Sequence, residues 1–123
     1  MGEKMTVLVV EDDFASRKYL LLLLKKLNYM AIAAETGEEA LDLMKDKSAD
    51  LFLLDIALGA GISGLELGAI LKKENRFHEV PMVAVTAFTR EKLETFDEAG
   101  FSDYMAKPYT VVQLKQLLEK YLS

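Results

Sequence analysis

The chain has no cysteine, no tryptophan, two prolines and a single histidine in 123 residues. Without cysteine there can be no disulfide, no thiol nucleophile and no thiolate metal site. One histidine excludes a multi-histidine metal centre. No apolar run reaches the roughly 18 residues of a membrane span, and the run Tyr19–Leu24 ends in Lys25 and Lys26. Positive charge is also in short supply. Fifteen Lys and Arg stand against 20 Asp and Glu, and the formal net charge of −5 argues against nucleic acid as a partner. The N-terminus runs straight into charge and then a strand-like segment. No signal peptide and no membrane association are therefore expected, and a cytoplasmic location is.

What is present describes one globular domain spanning residues 1–123. Hydrophobic residues make up 51% and charged residues 28%, enough for a single core and too apolar for disorder. Short apolar runs alternate with helical patterns five times, with no linker or repeat between them. The runs are Thr6–Val10, Met30–Ala34, Leu51–Leu54, Met82–Val85 and Asp103–Ala106. The first, third and fourth are nearly continuous in apolar residues, as in strands buried on both faces. Thr36 with Glu39, Ser63 with Glu66 and Thr110 with Gln113 each read as a capping box that opens a helix. Leu20, Leu23, Leu24 and Leu27 form one apolar helical stripe, and Leu114, Leu117, Leu118 and Tyr121 form another. Five strand-then-helix units predict an α/β fold: a doubly wound, five-stranded parallel sheet with five helices on both faces. Ligands of such sheets sit beyond the carboxyl ends of the strands, where the strand order reverses.

Those ends carry chemistry. Glu11-Asp12-Asp13 follows the first strand, Asp55 the third, Thr86-Ala87 the fourth and Lys107-Pro108 the fifth. A parallel sheet gathers them into one crevice of carboxylates, a hydroxyl and an ammonium. Crowded carboxylates repel, and a hard divalent cation relieves them; all-oxygen ligands suit Mg²⁺ or Mn²⁺. With Lys107 as a second positive contact and Thr86 as a hydroxyl donor, the set is equipped for phosphoryl transfer, and Asp55 is the natural nucleophile. Taken singly, each residue reads as well as a helix cap or a turn. The four ends together, in this order, point to the site.

The same residues resemble the response-regulator receiver domains of two-component signalling. The matching segments are VLVVEDD at Val7–Asp13, LFLLD at Leu51–Asp55, VAVTA at Val83–Ala87 and YMAKP at Tyr104–Pro108. The resemblance implies a flavodoxin-like strand order 2-1-3-4-5. It makes Asp55 the phosphoacceptor, Asp12 a direct Mg²⁺ ligand, Glu11 a ligand through water and Ala57 a donor of a backbone carbonyl to the metal. Asp13 falls beyond the acidic pair and begins the helix. Thr86 becomes the switch hydroxyl, Lys107 the phosphoryl contact and Tyr104 the aromatic that rotates on activation. The Lys107–Pro108 peptide is expected to be cis. Implied partners are a histidine kinase or histidine phosphotransfer protein and a downstream target. That target would bind the face of the fourth helix, fifth strand and fifth helix. Such a domain takes part in its own phosphorylation and is not a turnover enzyme.

One segment departs from the family pattern. Where a proline is usual four residues after the phosphoacceptor this chain has Gly59, and the closing glycine, Gly64, comes one residue late. Three glycines predict a looser loop. Ala57 and Phe88 flank the resemblance's route for attacking water and predict slow self-dephosphorylation. Leu21 and Leu22, off the first helix's stripe, read equally as an exposed pair for docking a phosphodonor and as part of a wider buried face or a dimer contact. His78 reads as solvated, and Phe96 and Phe101 as packing. Other classes fit less well. A small Mg²⁺-dependent phosphatase or phosphotransferase would want an acid at position 57, and a flavodoxin-like cofactor binder a Ser/Thr/Gly-rich loop after the first strand. A purely structural interaction module leaves the acids unexplained. A free-standing regulator is expected, with a piece of a hybrid kinase or larger regulator as the alternative.

Overall fold

The computed structural model describes residues 4–87 and 99–122. Strands β1 (Thr6–Val10), β2 (Met30–Ala34), β3 (Leu51–Asp55), β4 (Met82–Thr86) and β5 (Asp103–Ala106) form one parallel sheet in the order β2-β1-β3-β4-β5. Helices α1 (Phe14–Lys26), α2 (Gly37–Leu43) and α3 (Gly64–Lys73), a 3-10 turn at Asn75–Phe77 and a C-terminal helix (Val111–Leu122) complete the described elements. These are four α-helices against the five expected. The expected fourth helix falls on residues 88–98, outside the described residues, as do Phe88 and Phe96.

The apolar strands divide their side chains between two cores, as the two-residue period of a strand requires. Val7, Val9, Leu51, Leu53, Val83 and Val85 face Leu20, Leu23 and Leu24 of α1 and Leu114, Leu117 and Leu118 of the C-terminal helix. Leu8, Val10, Phe52, Leu54, Met82 and Ala84 face α2, α3 and Phe77. Burial on both sides is why β1, β3 and β4 read as unbroken apolar runs, whereas edge strand β2 leaves Met30 exposed. Phe52 is fully buried and meets the Phe77 ring edge-on, with centroids 5.4 Å apart. Phe52→Ala should cost about 3–5 kcal/mol of stability through lost burial and a residual cavity. A urea titration read by circular dichroism will show the lowered midpoint.

The helix starts differ in one detail from expectation. Ser63–Glu66 and Thr110–Gln113 form closed capping boxes. At α2 only half the box forms. Thr36 Oγ1 accepts the Glu39 N–H at 3.1 Å, but Glu39 Oε1 accepts the Glu35 N–H instead of Thr36's. The backbone is more extended at Thr36 (φ −132°) than at Ser63 (φ −74°), and the carboxylate meets the preceding amide. On α1, Leu22 is 52% exposed, whereas Leu21 is half-buried against the core, so the pair divides between the exposed and the wide-face readings. Leu21 lies three residues before Leu24, on the flank of the stripe.

Strand order reverses between β1 and β3: the chain leaves β1 for β2 on one side and returns to β3 on the other. Strands β3 and β4 run one residue further than their apolar runs. Asp55 pairs with Val85 and Thr86 with Ala106 in the sheet register. Both residues are held by the ladder itself, not by the loops beyond it.

Candidate phosphorylation and metal site

At the end of β1, Glu11 continues the ladder by donating its N–H to the Ala34 carbonyl at 3.1 Å. Its side chain is buried, whereas Asp12 is exposed. Asp13 caps α1, its Oδ2 accepting the Ser16 N–H at 2.8 Å, so it stands apart from the acidic pair as expected. That bond holds the Asp13 carboxyl below its usual range. At the end of β3, Asp55 is 5% exposed, and its Oδ1 accepts the N–H of Ala57 at 2.9 Å. Thr86 is buried at the end of β4. Beyond β5, Lys107 donates its N–H to the Thr86 carbonyl at 2.8 Å, and the Lys107–Pro108 peptide is cis. Tyr104 is half-buried against the α2–α3 side of the sheet. His78 is exposed and Phe101 buried.

The Lys107 ammonium bridges two acids, with Nζ 2.6 Å from Glu11 Oε1 and 3.1 Å from Asp55 Oδ2. One oxygen from each of Glu11, Asp12 and Asp55 lies within 4.8 Å of the others, the one such acid group among the described residues. Three carboxylates against one cation leave the site short of positive charge. Burial, then the nearby Asp55 carboxylate, push the Glu11 carboxyl up to about 7, against the pull of Lys107 and of the Asp13 N–H. Burial works against the Lys107 charge, but the Glu11 and Asp55 carboxylates outweigh it and raise its ammonium above the usual range. An all-oxygen donor set with excess negative charge fits a hard divalent cation, Mg²⁺ or Mn²⁺. Glu11, Asp12 and Asp55 would hold it; Ala57, next but one to Asp55, is exposed.

Two contributors escaped the sequence reading. Arg17 Nη1 donates to the Glu11 carbonyl at 3.0 Å, and Nη2 lies 3.4 Å from Glu35 Oε1, which fastens the start of α1 to the end of β1. A signal existed: Arg17 stands three residues before Leu20, on the apolar stripe, where a charge needs a partner. Gly59 is the other. Its N–H donates to Asp12 Oδ2 at 2.9 Å, and the Ile62 N–H donates to Glu38 Oε2 at 3.0 Å. The glycine-rich loop expected to be loose is therefore tied at two points. Beside Lys107, a groove of about 340 Å³ is lined by Ser16, Tyr19, Lys107, Pro108 and Tyr109. Burial pushes the Tyr109 phenol up to about 12.

Comparison with known proteins places this geometry in context. The family model of the response regulator receiver domain matches residues 7–119. The polar-differentiation response regulators DivK of Brucella ovis and Brucella abortus are each 34% identical over 118 residues, covering 95% of this chain and 95% of theirs. A CheY-like response regulator receiver domain from Methylobacillus flagellatus is 27% identical with a TM-score of 0.82, covering 97% of this chain and 99% of that one. The receiver domain of a sensor histidine kinase from Pseudomonas aeruginosa, solved with a magnesium ion coordinated in its active site cleft, shares the fold at 24% identity. Its TM-score is 0.88, over 97% of this chain and 98% of that one.

Proposed function

The chain belongs to the response-regulator receiver family, and on that premise we propose that Asp55 takes a phosphoryl group from a phosphohistidine partner and that the acquired charge switches the protein's surface. The observation that carries this reading is the Lys107 ammonium held between Glu11 and Asp55, with Asp12 alongside, at the ends of three strands.

A bound Mg²⁺ would neutralise negative charge on the phosphoryl oxygens. The chain's own residues do the rest. Asp55, anchored in the ladder and by the Ala57 N–H, presents a carboxylate oxygen to phosphorus. The new O–P bond forms as the P–N bond to histidine breaks, and the imidazole nitrogen leaves with the electron pair. Lys107 follows the charge from the carboxylate to a phosphoryl oxygen, and Thr86 offers its hydroxyl to another. Asp12 would hold the metal directly, Glu11 through water and Ala57 through its backbone carbonyl. Tyr104 then changes position, altering the face formed by β5 and the C-terminal helix, and a target protein binds there. Self-dephosphorylation is slow, because the Ala57 methyl offers no hydrogen bond to orient water and Phe88 is bulky and apolar. The domain acts as a cytoplasmic switch, residues 1–123 working as one receiver, and not as a turnover enzyme.

The phosphodonor, a histidine kinase or a histidine phosphotransfer protein, docks over α1 and the groove beside Lys107. Phe14 and Leu22 are 66% and 52% exposed there, among the basic residues Lys18, Lys25 and Lys26. An apolar patch with a positive border suits an acidic, partly apolar helical partner.

The test is phosphorylation by a small acyl phosphate, read by intact mass with Mg²⁺ or with EDTA, wild type beside Asp55→Asn. One base-labile phosphoryl group on wild type, lost in EDTA and in the variant, is the expected result. Equal uptake by Asp55→Asn would move the site elsewhere. No uptake by wild type in Mg²⁺ would leave the chain a constitutive interaction domain.

A further inference from the structure

The loop from Ile56 to Ser63 connects β3 to α3 and approaches the acids from outside. Asp12 is exposed, and among the described residues the Gly59 N–H is the hydrogen-bond donor to its carboxylate, at 2.9 Å. A Cβ built on Gly59 would lie 2.8 Å from Asp12 Oδ2 and would meet nothing else within van der Waals reach. Two properties of position 59 thus bear on one carboxylate oxygen: it must have an N–H, and it must have no side chain. A proline, the residue the family pattern puts at this place, fails both requirements.

From this geometry we propose that Gly59 is a positioning residue for the metal site. Its N–H holds Asp12 Oδ2 and fixes the rotamer in which a carboxylate oxygen of Asp12 lies within 4.8 Å of those of Glu11 and Asp55. The inference rests on the reading of Asp12 as a metal ligand and adds a partner for it in the loop. A solvated aspartate on a strand end samples several rotamers, and only some present an oxygen to the other two acids. A backbone amide that engages one oxygen selects among them before the metal arrives. Partners of this kind, one bond removed from the metal, typically set affinity by 10- to 100-fold. The coupling is reciprocal: if the loop raises metal affinity, metal must steady the loop by the same factor. The Glu38 carboxylate, by accepting the Ile62 N–H, fixes the far side of the same loop and keeps Gly59 within reach.

The experiment uses the full chain and Mg²⁺ alone. Affinity is measured by calorimetric titration for wild type, Gly59→Ala and Gly59→Pro, and exchange of the Gly59 amide proton in wild type is followed by NMR with EDTA and with Mg²⁺. Thermal unfolding in EDTA serves as the structural control. Both substitutions should weaken Mg²⁺ binding about tenfold or more while the EDTA melting temperature of Gly59→Ala stays near wild type. The Gly59 amide should exchange more slowly when Mg²⁺ is bound. Unchanged affinity in both variants would overturn the inference and leave the proposed function standing. So would faster exchange of the Gly59 amide in Mg²⁺, because the metal would then be pulling Asp12 off the loop. Failure of wild type to bind Mg²⁺ would overturn both.

Discussion

Gly64→Ala should lower the melting temperature by roughly 10–15 °C or abolish soluble expression. Gly64 is the first residue of α3, and its N–H donates to the Ile56 carbonyl at 3.2 Å. A Cβ there would lie 2.1 Å from the Asp55 carbonyl oxygen, 2.7 Å from Ile56 Cα and 2.9 Å from the Asp55 carbonyl carbon. Normal contacts between such atoms are about 3.5 Å. Each obstructing atom belongs to the backbone at the end of a central strand, so no side-chain rotation relieves the clash. Helix α3 would have to move off the sheet. Overpacking typically costs about 1–3 kcal/mol, and a backbone-to-backbone clash belongs at or above the upper end. For a domain of this size about 3 kcal/mol corresponds to the stated fall. Because the displaced carbonyl is Asp55's own, folded Gly64→Ala should also take up phosphoryl groups more slowly. Differential scanning calorimetry beside the phosphorylation assay checks both. A melting temperature within about 2 °C of wild type would show that the β3–α3 junction has slack the geometry denies. Gly59 makes the contrast: there a Cβ meets only the free end of a side chain, and the chain should still fold.

In EDTA the protein should become less stable between about pH 5 and pH 7.5, and Mg²⁺ should remove most of that dependence. The cause is Glu11. Its folded-state carboxyl is raised from 4.5 to about 7 by burial and by Asp55, so the folded protein binds this proton more tightly than the unfolded chain does. Stability from the protonated group is complete below about 4.5, declines as pH rises through the folded value and is gone above it. A shift of this size corresponds to stability on the order of 3 kcal/mol. Asp103 works in the other direction and in another window. Burial would raise its carboxyl, but hydrogen bonds from Lys120, the Tyr104 N–H and Tyr121 outweigh it and hold it low, so its contribution is lost only in acid. Melting temperatures at pH 5.5 and 8, in EDTA and in Mg²⁺, for wild type and Glu11→Gln, form the test. Glu11→Gln should flatten the EDTA profile. A wild-type profile in EDTA that is level or rises with pH would mean that Lys107 already compensates the acids in full.

Much of this was legible in short local patterns and in their order along the chain. Unbroken apolar runs in β1, β3 and β4 announced strands covered on both faces, and the two cores now account for alternate side chains of each run. The Ser63–Glu66 and Thr110–Gln113 boxes were readable because a cap involves only four consecutive residues. The strand ends named Glu11, Asp12, Asp55, Thr86 and Lys107 because a parallel sheet must bring its carboxyl ends together. The limits of such reading appear at Leu21, where one position on a helical wheel separates flank from surface, and at Thr36, where a few tens of degrees in φ redirected a carboxylate.

Sequence alone therefore determined the order of the elements, the edge of the sheet that carries the chemistry and the residue types that stand there. Each follows from interactions between near neighbours or from a repeating polarity. Only the tertiary structure decided how those residues engage one another. Lys107 reaches Glu11 across 96 positions of chain, Asp55 across 52, and Gly59 reaches Asp12 across 47. Which oxygen meets which donor, and whether a buried carboxyl keeps its proton near neutrality, depends on separations of a few ångströms between strand ends. Those distances are set by sheet register and loop packing, which no local pattern encodes.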